Sequence, residues 1–339
     1  MNFYFRVGAL ATTAAVMLGG YSGIPNKSSK AYRDYIKQLE EAEAQEKAEA
    51  EAAAKAAEEA KKAEAEAGEA KKFNEEQNGL TLSSEEKEVI SDGITYILKE
   101  YTDFEDKKVM AHVIEIDMTK ADIITATPDY GEETVGVGAT VYDEMMKIIE
   151  MGYTVYAGIN ADFFAMGGYY TPDGLCIKNY KVVHDAGVRP WFGITDEGKP
   201  IIATAEEYKE SYTGKIKEAV GGMYTIVKDG KFNEIGLGEE FAYTRHPRTS
   251  VGITEDGNVV FMVVDGRQPE YSNGASLSDL AQLMIEEGCV EALNLDGGKS
   301  STILTAAHDG KKPFKLRNKP SDGEERKIYN SLVVVATDK

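Results

Sequence analysis

The chain of 339 residues has little of what metal centres and covalent frameworks need, with two cysteines and four histidines. Cys176 and Cys289 both lie in apolar surroundings and read as buried free thiols, and no Cys/His spacing suits a metal site. His112, His184, His246 and His308 are scattered. His112 falls inside a strand-like run and reads as structural; His246, and His184 beside Asp185, are candidate cleft residues. Positive charge is also scarce, Lys and Arg totalling 38 against 58 Asp and Glu, for a net charge of −20. That balance argues against nucleic acid and anionic membrane surfaces as partners. It does not exclude a phosphate-bearing ligand, which local arginines decide. A P-loop is excluded, because Gly298-Lys299-Ser300 would need a glycine where Leu293 stands.

A bilayer-spanning apolar run is missing as well. Residues 1–23 carry one Arg and then an apolar run shorter than the roughly 20 residues a spanning helix needs. This is the layout of a secretory signal, cleaved or kept as a membrane anchor, and it implies an extracytoplasmic, secreted or cell-surface location. No Cys follows it for lipid attachment. Residues 24–82 form a stalk and linker. Their centre, 31–72, is Ala, Glu and Lys with almost no large apolar side chain, which predicts a long solvated spacer helix and not an oligomerising coiled coil. Residues 83–339 are the globular part. Ser83-Ser84-Glu85-Glu86 reads as a capped helix start running to about Tyr101. Strands are expected at Val109–Met118, Ile123–Thr127, Tyr153–Ile159, Gly221–Val227 and Ser331–Ala336, with a helix at Thr140–Glu150. Gly193–Gly198 and Gly252–Gly257 are near copies and read as hairpins. The fold class is α+β, with mixed β-sheets flanked by a few helices.

The most informative stretch is Arg245–Thr302. Apolar runs at Val259–Val264 and Ala292–Leu295 each end in a polar turn, Asp265-Gly266-Arg267 and Asn294-Leu295-Asp296-Gly297-Gly298-Lys299-Ser300-Ser301. Between them Ser276 and Asp279 make a capping box, Leu277, Leu280, Ala281, Met284 and Ile285 recur at helical spacing, and Gly288 suits the C-terminal stop. A crossover of that length joins parallel strands. It would bring Asp265, Arg267, Asn294 and Asp296 to one sheet edge.

HPRTSVGI, VVDGRQ, NLDGGKSST, AGINADFF (157–164) and NKPSDGEERKIYNSLVV (318–334) together resemble the phosphodiester glycosidase family, over roughly residues 105–336. The resemblance implies hydrolysis of a bond between a sugar anomeric carbon and phosphate, with a glycan phosphodiester as substrate. The residues present can serve that chemistry. Asp162, Asp265 and Asp296 are the candidate catalytic carboxylates. Arg248, Arg267 and Arg326 are candidate phosphate clamps, since a guanidinium grips phosphate in a forked geometry. Asn160 and Asn294 are neutral orienting groups. Gly297 and Gly298 can turn backbone N–H groups toward an anion, and Ser300 and Ser301 add hydroxyls. No cofactor is required; three carboxylates are compatible with a divalent cation, but no spacing specifies one. Lys299 and Ala161 stand where the family usually has glycine. An alternative class is a non-catalytic carbohydrate- or wall-binding module on a stalk.

Overall fold

The computed structural model describes residues 79–337, apart from 129–135, 166–169, 186, 235–239 and 308–312, together with Lys37. The leader at 1–23 and nearly all of the stalk lie outside the described residues. Among those described, no helix is long and apolar enough to cross a membrane.

In chain order the strands are β1 (Thr81–Ser91), β2 (Ile94–Thr102), β3 (Lys108–Ile116), β4 (Ala121–Ala126), β5 (Val155–Asn160), β6 (Cys176–Lys178), β7 (Lys181–His184), β8 (Trp191–Thr195), β9 (Pro200–Ala203), β10 (Ile216–Gly221), β11 (Thr225–Lys228), β12 (Lys231–Phe232), β13 (Arg248–Thr254), β14 (Val259–Val264), β15 (Cys289–Asn294), β16 (Ile303–Ala306), β17 (Phe314–Leu316) and β18 (Ser331–Ala336). Two helices of ten residues, α1 (Val141–Glu150) and α2 (Leu277–Glu286), join them. An eight-stranded sheet has the order β1-β2-β3-β14-β13-β15-β11-β12, and two five-stranded sheets run β7-β6-β10-β8-β9 and β17-β16-β5-β18-β4.

The main core fills the space between the large sheet and the two smaller ones. β14 shows how the sequence specifies this. Val259, Phe261 and Val263 face that core, while Val260, Met262 and Val264 face a second core under α2. A strand covered on both faces reads as an unbroken apolar run. The caps also follow the sequence. Ser276 Oγ accepts from the Asp279 N–H at 3.1 Å, the Ser276 N–H donates to the Asp279 carboxylate at 2.9 Å, and Gly288 closes α2 at φ +79°. Thr140 and Asp143 cap α1 in the same way.

Three expectations change. The predicted helix from Ser83 is the β1–β2 hairpin, closed by Asp92-Gly93 with Gly93 at φ +77°. Asp-Gly is a hairpin signal, and cross-strand pairing overrides the helix-like charge pattern around it. Gly221–Val227 is broken into the end of β10 and the start of β11, in different sheets. Finally, the sheets are antiparallel and not mixed: every strand pairing among the described residues is antiparallel, β13 with β14 and with β15 included. β14 and β15 still run the same way, because β13 lies between them. Their carboxyl ends and the start of β13 share one sheet edge, since Arg248 pairs with Val264 and Ser250 with Asn294. The Thr249 hydroxyl, donating to Asn160 Oδ1, brings the end of β5 and the start of β18, paired through Asn160 and Ser331, to that edge.

Candidate functional site

The turn after β15 is the centre of that edge. The Asp296 N–H donates to the Ala161 carbonyl at 2.9 Å, which places Asp296 beside Asp162 at the end of β5. Asn160 serves as a strut. Its Nδ2 donates to the Asp296 carbonyl at 2.6 Å, and its Oδ1 accepts from Thr249 Oγ1 at 2.9 Å and the Thr302 N–H at 3.0 Å. Ser301 joins this support through Thr249. Asn294 is buried, with Nδ2 donating to the Met223 carbonyl at 3.0 Å and Oδ1 without a partner among the described residues.

Asp162 is 1% exposed. Its Oδ2 accepts from the Gly174 N–H at 2.8 Å, and its Oδ1 has no hydrogen-bond partner among the described residues. Gly174 and Gly221 make the slot that holds it, since a Cβ at Gly221 would stand 2.7 Å from Asp162 Oδ2. Burial pushes the Asp162 carboxyl up to about 8, against the Gly174 N–H and the Arg189 guanidinium, which favour the charged form. Asp296 is only half-buried, and burial also raises it, to about 6, with the neighbouring Ser300 hydroxyl and Arg326 pulling the other way. Asp173 adds to both rises, and its N–H donates to the carbonyl of Phe163, the residue after Asp162, at 2.9 Å. It pairs with Arg189 at 2.9 Å. Neither Asp173 nor Arg189 was expected from the sequence, where no strand end marks them.

Asp265 differs from these two. It is 1% exposed, and its carboxylate contacts His112 Nε2 at 3.0 Å, Asn318 Nδ2 at 3.0 Å and the Lys319 N–H at 2.9 Å. Tyr96 Oη meets the other ring nitrogen of His112 at 2.8 Å. Asn318 Nδ2 also reaches the Ser301 carbonyl at 3.0 Å. Asp265 therefore holds the loop that buttresses the 296–301 turn, and the three carboxylates do not open equally onto one cleft. His112 keeps the structural character expected of it. Asp265→Asn would set an amide donor against these donors, and each buried group left unpaired costs about 1–3 kcal/mol. The expected outcome is a thermal midpoint lowered by about 2–4 °C per kcal/mol lost, read in a melt.

The arginines also divide. Arg248 is 1% exposed and spends its guanidinium on backbone, with Nε donating to the Ala275 carbonyl at 3.0 Å and Nη2 to the carbonyls of Phe241 at 2.6 Å and Thr244 at 3.0 Å. It braces the segment before β13 and is not a phosphate clamp. Arg267 is exposed, makes no ion pair among the described residues, and sits at φ +58°. A non-glycine residue there costs roughly 1–3 kcal/mol, and such strain clusters at functional sites. Its Nη2 donates to His246 Nδ1 at 3.4 Å. Burial, with help from Arg248 and Arg267, pushes His246 down to about 4, so the ring is neutral at pH 7 and can accept. A Cβ on Gly298 would lie 3.1 Å from Arg267 Nη1, and Gly298 is at φ +62°. Gly298 is thus needed for the turn and for the approach of the guanidinium. Gly297 is needed for closeness alone, since its Cβ would lie 2.6 Å from the Pro247 carbonyl oxygen. Lys299 adopts no positive φ and pairs with Asp322 at 2.9 Å, which explains how a lysine replaces a glycine there. Arg326 is half-buried, over the ring of Phe164 at 5.6 Å, and Ser300 is buried in the turn. Among the described residues no group of three or more His, Cys, Asp or Glu is arranged to hold a metal ion.

Residues 153–335, more than half of the chain, match the phosphodiester glycosidase family. The chain belongs to the phosphodiester glycosidase family. It is 25% identical to the bovine N-acetylglucosamine-1-phosphodiester alpha-N-acetylglucosaminidase over 159 residues, 41% of this chain and 30% of that protein. The SPbeta prophage-derived uncharacterized protein YomE of Bacillus subtilis is 36% identical over 94 residues, 28% of this chain and 13% of that protein. The chain thus spans less than a third of the curated relatives it matches. The catalytic domain of the zebrafish N-acetylglucosamine-1-phosphodiester alpha-N-acetylglucosaminidase, auto-inhibited by pro-peptide, shares the fold at a TM-score of 0.58 and 17% identity, over 76% of this chain and 89% of that one. A hypothetical protein from Synechocystis does so at 0.56 and 13%, over 76% of this chain and 68% of that one.

Proposed function

We propose that this phosphodiester glycosidase family member is an extracytoplasmic hydrolase that cleaves the bond between a sugar anomeric carbon and phosphate in a glycan phosphodiester. The observation that carries the reading is the Asp296-Gly297-Gly298 turn, tied to the end of β5 beside Asp162 by the Asp296 N–H on the Ala161 carbonyl, with the Arg267 guanidinium against Gly298.

In this reading Arg267 takes the phosphate, whose charge grows as the C–O bond breaks, while the Gly298 N–H, a candidate anion donor from the sequence, is spent on the Pro247 carbonyl at 2.8 Å. Asp296, raised only to about 6, is ionised at neutral pH and faces the developing oxocarbenium ion as base or nucleophile. Asp162, at about 8, keeps its proton and is the acid. The leaving phosphomonoester, with its second pKa near 6, needs less help from that acid than an alcohol would. Arg326 supports Asp296 electrostatically. The leader-like segment at 1–23 supports export. Release of reducing sugar from a synthetic N-acetylglucosamine-1-phosphodiester tests the activity. Sugar binding without release would make the domain a non-catalytic carbohydrate module.

A further inference from the structure

A groove of about 540 Å³ opens between the β8–β9 hairpin and β11, outside the turn that carries the proposed reaction. Its wall begins where the Asp162 slot ends. Gly221 packs on the Asp162 carboxylate, and Met223, Tyr224 and Thr225, two to four residues on, line the groove. Met223 is tied to the site by two bonds, its N–H to the Asn294 carbonyl at 2.8 Å and its carbonyl to Asn294 Nδ2 at 3.0 Å. Tyr224 is held at φ +68° and its N-terminal approach is packed against β15, where its carbonyl accepts from the Asn294 N–H at 3.0 Å. Arg189 closes the connection, because it lines the groove and also pairs with Asp173 beside Asp162.

The lining suits an uncharged polyol. Apolar surface from Pro190, Ile202 and Met223 alternates with hydroxyl and amide groups from Thr225 and Asn233. Arg189 is paired with Asp173 and Lys228 faces two carboxylates, Glu207 and Glu291, so the groove has no excess positive charge to select a second anion. Mixed apolar and hydrogen-bonding surface of this size is the usual form of a small-molecule subsite. Val188, 93% exposed, forms its lip. The groove lies on the Asp162 flank.

We propose that this groove binds the next, uncharged sugar of an oligosaccharide whose terminal anomeric carbon carries the phosphodiester, so that oligosaccharide-1-phosphodiesters are preferred over monosaccharide ones. The inference rests on the proposed function for its geometry, the phosphate lying at Arg267 and the sugar at Asp162.

The test compares a monosaccharide-1-phosphodiester with its disaccharide homologue bearing the same alcohol, in the wild type, Glu291→Gln and Val188→Trp. The expected result is a KM at least tenfold lower for the disaccharide at similar kcat, a difference that both substitutions erase while the monosaccharide kinetics stay unchanged. Equal KM values in the wild type, or a preference that survives both substitutions, overturns the subsite and leaves the proposed activity standing. If neither compound is hydrolysed, the activity reading fails. The subsite is then judged by calorimetric titration with chitobiose, cellobiose and mannobiose: binding that Glu291→Gln abolishes supports it, and no binding overturns it.

Discussion

Asp162→Asn and Asp296→Asn are each expected to lower kcat on a sugar-1-phosphodiester by about a hundredfold or more, the scale of acid–base groups, while leaving the fold intact. The wild-type pH–rate profile should be a bell with limbs near the folded values of about 6 for Asp296 and about 8 for Asp162. The low limb belongs to the group that must lose its proton and the high limb to the group that must keep it. Each substitution should remove one limb from whatever activity remains. Stability should move the opposite way. Both carboxyls hold a proton more firmly in the folded chain than in the unfolded one, because burial penalises the charged form. Their stabilising contribution is complete below the unfolded carboxylate range and is lost as pH rises through about 6 and about 8. Asp162→Asn removes that loss. Its melting temperature should exceed that of the wild type above pH 8, with a gain of about 2–4 °C for each kcal/mol recovered. A variant that melts normally and keeps near-normal turnover would take Asp162 out of the chemistry.

Arg267→Lys and Gly298→Ala form the second pair with large expected effects. One ammonium cannot reproduce a forked contact, and an added Cβ would meet the guanidinium 3.1 Å from Nη1 at a residue already at φ +62°. Both variants should lower kcat/KM for phosphodiester substrates by about tenfold or more, a loss of roughly 1.4 kcal/mol in transition-state binding. Arg267→Lys should leave the melt within about 0.5 kcal/mol, since the side chain is exposed. Arg248→Lys should do the reverse, destabilising the fold through the carbonyls of Phe241, Thr244 and Ala275 that it leaves short of donors. Equal kinetic effects from the two lysine substitutions would contradict the division of roles.

The contrast between Asp265 and Asp296 shows how far the sequence could be read. Both follow a buried strand and precede glycine, and local pattern cannot separate them. What separates them comes from distant segments. His112 on β3 and Asn318 and Lys319 after β17 saturate Asp265, whereas Asp296 faces a half-open turn. The same holds for the arginines, since the carbonyls that occupy Arg248 belong to a segment and a loop that no periodicity links to it. Features set by local physics were legible: the capping boxes of α1 and α2, the unbroken apolar run of β14, and the strand ends that collect polar residues at one edge. The β1–β2 hairpin was legible in principle through Asp92-Gly93, but the Ser-Ser-Glu-Glu run before it carries an equally good helix signal. Asp173 and Arg189 were not legible, because an ion pair formed across a loop leaves no spacing to detect.

The most direct test of the central claim is hydrolysis of a sugar-1-phosphodiester in ¹⁸O-labelled water, followed by mass spectrometry of both products. Cleavage at the anomeric carbon, with Asp162 and Asp296 around the sugar and Arg267 on the phosphate, puts the label in the released sugar and none in the phosphomonoester. Label in the phosphomonoester, or no products at all, would contradict it.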